Sequence, residues 1–97
     1  MISEDLKQAV LCHSKDNVAT ARAVIRKGTL LEFPGGKKIE AQEEIPFAHK
    51  IAFRRIAKGG AVIKYGERIG RATQVIRPGE LVHIHNVVGE RGKGRKR

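Results

Sequence analysis

Apolar residues fall in short runs with a two-residue period, and glycine- or proline-bearing turns separate them. Residues 18–25, VATARAVI, set Val18, Thr20, Arg22 and Val24 against Ala19, Ala21, Ala23 and Ile25, which predicts a strand. TLLEF (29–33) is short and extended, and PGGKK turns it. AVIKYG (61–66), RIGRATQVI (68–76) and ELVHIHNVV (80–88) are β-rich runs split by Gly66, Gly70 and Arg77-Pro78-Gly79. Residues 6–11 predict an opening strand or a short helical turn, ended by SKDN. The segment 39–56 stays open: the spacing of Ile51 and Ile56 suits a helix and competes with strand pairing, while Pro46 bars a helix running through.

A repeat organises these runs. Ile-x-x-Gly-x-x-[Leu/Val] occurs at residues 25–31, 56–62 and 76–82. In each copy an apolar residue ends one extended segment, a polar pair with glycine turns the chain, and an apolar strand resumes. The last two copies start at Ile56 and Ile76, but three copies are too few for a solenoid, so ordinary hairpins of a compact β domain are expected. Many short strands with glycine turns predict an all-β fold, a small barrel-like or clip-like domain with room for one short helix.

Ninety-seven residues make one small domain, and 40% hydrophobic content is enough for a core. With three Phe, one Tyr and no Trp, that core has to be built from Ile, Val, Leu and Ala. The single cysteine, Cys12, excludes an internal disulfide and matches a reducing compartment; it reads as a small core residue. No apolar run reaches membrane-spanning length and the acidic start MISEDLKQAV lacks a signal-peptide core, so a cytoplasmic protein without membrane association is expected.

Charge changes the picture only in part. Lys and Arg number 20 against 10 Asp and Glu, a net of +10 that suggests a polyanionic partner. Without residues 90–97, ERGKGRKR, the count is 15 against 9. Residues 1–89 therefore form the expected domain, and 90–97 a basic tail expected to be disordered. Phe33, Phe47, Phe53 and Tyr65 are scattered rather than clustered as base-stacking platforms. Nucleic-acid binding through the tail is thus a secondary reading.

Four motifs in order carry a family resemblance: HSKDNVATA (13–21), IPFAHKIA (45–52), VIKYGERIGRA (62–72) and GELVHIHNV (79–87). Together they resemble the SAF domain, a β-clip fold, of the altronate and galactarate dehydratase family, over roughly residues 9–88. One departure is Ala48, where the family commonly has glycine before His-Lys; it bears on how closely the backbone there approaches a ligand. The resemblance implies a module either fused ahead of a large catalytic region or encoded separately. This chain resembles the small-subunit form, as in altronate dehydratase or the related sulfolactate sulfo-lyase, and a piece cut from a longer enzyme stays open.

Dehydrating a sugar acid requires a base for the proton α to the carboxylate, stabilisation of an enediolate-like intermediate, and an acid for the departing β-hydroxyl. The motifs supply His49, His83 and His85 as candidate acid–base residues. Lys50, Lys64, Tyr65, Asn86, Asp16, Asn17 and His13 are candidate substrate-binding residues. His83 and His85, two apart in an extended run, would share one strand face. The resemblance implies a divalent metal, iron, in the assembled enzyme. His83 and His85 are candidate ligands, yet no carboxylate cluster with metal spacing accompanies them, and metal identity and ligands stay open. The competing readings are plain: the histidines decorating a polar face, Asp16-Asn17 capping a turn, Lys64 solvated and Tyr65 partly in the core. The expected partners are a large catalytic subunit, a sugar acid and, in one alternative, further copies of the chain. A stand-alone sugar-acid or anion-binding module is the other non-nucleic-acid alternative.

Overall fold

The computed structural model describes residues 8–90. Strands β1 (Ala9–Val10), β2 (Val18–Ala21), β3 (Leu30–Glu32), β4 (Lys38–Glu40), β5 (Lys50–Ala52), β6 (Ala61–Lys64), β7 (Glu67–Ala72), β8 (Leu81–Val82) and β9 (Val87–Gly89) follow in order. They form three antiparallel sheets: β1-β2-β5-β8, the hairpin β3-β4, and β6-β7-β9. The fold is all-β, and no residue among those described is helical. The open segment 39–56 resolves into β4, a bridge residue at Ile45, a turn and β5. The opening element is β1; residues 6 and 7, like the tail from 91 onward, lie outside the described residues. No described helix is long and apolar enough to cross a membrane.

The repeat has a fourth member and a longer unit than the glycine pattern reveals. Ala21-x-x-x-Ile25-x-x-Gly28, Ala41-x-x-x-Ile45-x-x-Ala48, Ala52-x-x-x-Ile56-x-x-Gly59 and Ala72-x-x-x-Ile76-x-x-Gly79 share one backbone bonding scheme, and they work in pairs. Ile25 and Ile45 exchange N–H···O=C bonds of 2.9 and 2.8 Å, and Ile56 and Ile76 exchange bonds of 2.8 and 2.9 Å. Gly28 donates to the Ala41 carbonyl and Ala48 to that of Ala21; Gly59 donates to Ala72 and Gly79 to Ala52. Each alanine N–H is returned to the residue after the turn: Ala41 to Thr29, Ala21 to His49, Ala72 to Gly60 and Ala52 to Glu80. All four isoleucines and all four alanines are buried. The isoleucine fills the core beneath each crossing, and the alanine occupies a site where two backbones run close together.

Each pair has its own core. Ile25 and Ile45 pack with Leu31, Phe33, Ile39, Ile51 and Phe53; Ile56 and Ile76 pack with Val18, Val62 and Val82. Neighbouring residues of the central strands point to opposite cores, Ala19 and Ile51 to the first, Val18 and Ala52 to the second. Strands β2 and β5 therefore read as apolar on both faces, which blurs the alternation expected of a half-exposed strand. The two halves also touch at Gly79 (φ 92°), where a Cβ would stand 2.1 Å from the Glu40 carbonyl oxygen, so only glycine fits. The Gly79 carbonyl accepts a bond from Gln42 N–H, and the Glu43 carboxylate accepts one from Leu81 N–H.

Two expectations need correcting. Residues 83–86 are a turn rather than the continuation of a strand, so the ELVHIHNVV run is two short strands. Cys12 is exposed and is no core residue.

Ala48 occupies the position of glycine in the other three units and adopts φ 70°. An L-residue there costs about 1–2 kcal/mol. Ala48→Gly is expected to stabilise the chain by about 1 kcal/mol, net of glycine's greater freedom when unfolded. Urea denaturation checks this; an unchanged or lower midpoint would show that the turn is not strained.

Candidate functional site

The site follows from the register of β5 on β8. Lys50 stands opposite Val82, so His49 and His83, one residue beyond the paired positions, face each other. Their rings lie 4.7 Å apart between centroids, tilted by 51°. The His49 Nδ1 lies 3.1 Å from the Phe47 carbonyl oxygen, which orients the ring. Lys50, the next residue along β5, points toward the second half of the molecule.

From that half, the β6–β7 hairpin brings Lys64 and Tyr65. Lys64 pairs with Glu67 across a two-residue turn in which Tyr65 (φ 57°) and Gly66 (φ 74°) both have positive φ. That is the mirror-image turn that suits the strand twist. Lys50, Lys64, Tyr65 and His83 share an open cavity of about 440 Å³, whose apolar wall is Val62, Ile69, Val82 and Val87, with Ile84 at the rim. Ile84 is 82% exposed. The wall residues were not singled out as functional in the sequence; the Val62/Lys64 alternation on β6 is the signal that could have placed them beside the lysine.

The cavity is cationic. Among the described residues no carboxylate forms an ion pair with Lys50 or Lys64, and the Lys64 ammonium lies 4.9 Å from the Tyr65 ring centroid. Burial, and secondarily the Lys64 charge, hold the Lys50 ammonium below the usual lysine range. An anion entering the cavity would offset both effects with its opposite charge. The Tyr65 phenol is raised above its usual range, first by its hydrogen bond with the Cys12 thiol, then by charge at Cys12, desolvation and Asp16.

The remaining candidates are placed differently. His85 is exposed on the 83–86 turn and does not line the cavity, so it does not share a strand face with His83. Asn86 is buried and spends its side chain on that turn, accepting from His83 N–H at 2.9 Å and donating to the Leu81 carbonyl at 2.8 Å. Asp16 is fully buried, with Oδ1 accepting from Gly66 N–H at 2.8 Å. Asn17 donates to the Ala61 carbonyl and accepts from Ile63 N–H, extending the edge of β6. His13 is exposed, and its ring lies against Gly66. No group of three His, Cys, Asp or Glu side chains among the described residues could hold a metal ion. The His49–His83 pair offers two imidazoles, short of a ligand set, so a divalent metal does not fit this chain's residues alone.

Asn86→Ala leaves His83 N–H and the Leu81 carbonyl without partners and should cost about 2 kcal/mol. Thermal denaturation checks it, and a loss below about 0.5 kcal/mol would mean that water replaces the side chain.

Residues 7–90 match the family model described as the altronate/galactarate dehydratase SAF domain. The chain is 40% identical over 81 residues to altronate dehydratase of Bacillus subtilis, covering 84% of this chain and 16% of that enzyme. To altronate dehydratase of Escherichia coli it is 39% identical over 79 residues, 81% of this chain and 16% of the enzyme. It is 48% identical over 54 residues to the (2R)-sulfolactate sulfo-lyase subunit alpha of Chromohalobacter salexigens, covering 56% of this chain and 57% of that subunit. The chain thus spans about a sixth of the dehydratases and rather more than half of the lyase subunit. With its all-β architecture and its four motifs in place, the chain belongs to the SAF-domain family of altronate and galactarate dehydratases, a lyase family.

Proposed function

We propose that this chain is the SAF module of a cytoplasmic, altronate-type sugar-acid dehydratase, binding the substrate carboxylate at a site that a large catalytic partner completes. The observation that carries this reading is the convergence of Lys50 and Lys64, without an acidic partner among the described residues, on one open cavity beside the His49–His83 pair. The two ammonium groups supply the charge that a sugar-acid carboxylate needs, and a partner closing the open face over the apolar wall would strengthen the attraction by excluding water. An imidazole at His49 or His83 is suited to take a proton from the carbon next to the carboxylate in its neutral form, or to give one to the departing hydroxyl in its protonated form. The open face of the cavity is where the partner would close it. The expected divalent metal, iron, would be held by the assembled enzyme, with ligands largely from outside this chain. A lyase relative is named as a subunit, and the dehydratase relatives are about five times this chain's length, which supports a partner or a further region.

Steady-state kinetics of the chain reconstituted with its catalytic partner, with altronate as substrate, tests the assignment. The isolated chain should show no turnover. His83→Ala should lower kcat by about 10²-fold, Lys64→Ala should mainly raise KM, and His85→Ala should stay near the parent rate. Unchanged kinetics in both the His83 and Lys64 variants, with folding intact by circular dichroism, would remove the cavity from the reaction.

A further inference from the structure

The loop at residues 13–17 touches the cavity's hairpin at three points, and none of its side chains lines the cavity. The Lys15 N–H donates to His13 Nδ1 at 3.0 Å, which fixes the imidazole. The opposite edge of that ring lies 3.1 Å from where a Cβ of Gly66 would stand, so the ring packs directly on the hairpin tip. Asp16 Oδ1 takes the Gly66 N–H at 2.8 Å. Asn17 grips the strand before the turn, through Ile63 N–H at 2.8 Å and the Ala61 carbonyl at 2.9 Å. Lys64 therefore sits between two clamped points, Ile63 and Gly66.

Lys50 and Lys64 repel each other, and a free hairpin tip would swing Lys64 toward solvent. Asp16 is buried with Oδ2 lacking a hydrogen-bond partner among the described residues, a cost that a plain surface turn would not incur. Its carboxylate reaches the backbone of the tip and leaves the lysine charge free for a ligand.

We infer that His13, Asp16 and Asn17 are positioning residues, which hold Lys64 beside Lys50 by clamping the β6–β7 hairpin from behind. The inference rests on reading the two lysines as the anion site, and it reassigns three residues that the sequence motifs suggest as substrate contacts. Loss of the clamp lets Lys64 retreat. Lys50 then feels less positive charge, and its titration moves upward toward the ordinary lysine range, the part due to burial remaining.

The test follows the Lys50 side-chain titration by NMR in the full chain, with altronate binding measured on the same samples. Asp16→Ala and Asn17→Ala should move the Lys50 titration upward and weaken altronate about tenfold, a difference of about 1.4 kcal/mol. Asp16→Asn keeps an oxygen acceptor for Gly66 N–H and should leave the titration in place. His13→Ala, an exposed position that folding tolerates, gives the upward shift even if the buried variants fail to fold. A Lys50 titration identical to wild type in folded His13→Ala overturns the clamp, whatever the buried variants do. Altronate that fails to perturb Lys50 or Lys64 in the wild-type chain would instead overturn the anion site, and the titration shifts would still decide the clamp.

Discussion

Everything in this molecule hangs on the reciprocal backbone crossing at Ile25–Ile45 and at Ile56–Ile76. Each crossing exchanges two hydrogen bonds between buried isoleucines, flanked on both sides by a turn amide donating to an alanine carbonyl. Strands of two to six residues cannot hold a sheet by length. The crossings replace length with many satisfied backbone groups around a buried side chain, the arrangement that makes removal of any one partner costly. The two-fold repetition of the scheme gives two small cores rather than one, and β2 and β5 are shared between them.

The candidate site is a by-product of that sharing. Ala52 anchors the second crossing, and its bond to Glu80 sets the register of β5 on β8. The same register sets His49 against His83 and aims Lys50 at the other half. Lys64 arrives on a hairpin whose base belongs to the second core through Val62 and Ala72. Site residues from distant parts of the chain thus meet because the cores fix the strands that carry them. Among the described residues nothing roofs the cavity, which opens to solvent with Ile84 standing out at its rim.

Much of the fold was legible in the sequence because glycine turns between short apolar runs leave little but an all-β domain. The fourth unit was hidden because Ala48 stands where glycine marks the others, and because the matching signal, alanine four residues before isoleucine, is not a turn signal. The helix–strand ambiguity of 39–56 arose since β5 is apolar on both faces, which erases the two-residue period. Within the site, Lys50, Lys64, Tyr65, His49 and His83 were found as motif residues, and the structure brings these together. The pairing of His83 with His85 did not hold, because periodicity cannot see Asn86 closing a turn through its own side chain. Asp16 and Asn17 were visible as polar residues at a turn, but whether they faced ligand or backbone depended on the β6–β7 hairpin, which lies over forty residues away.

In the proposed anion site the charges of Lys50 and Lys64 are held against burial and mutual repulsion. In that state Lys50 binds its proton less tightly than an ordinary lysine, and a bound carboxylate restores the affinity. The anion complex then carries more protons than the free chain at alkaline pH, and affinity falls as pH rises through the lowered lysine value. Calorimetry of altronate binding at alkaline pH, in two buffers of different ionisation enthalpy, measures this proton exchange directly. Net proton uptake is the expected result; binding with no exchange, or with proton release, would contradict the account.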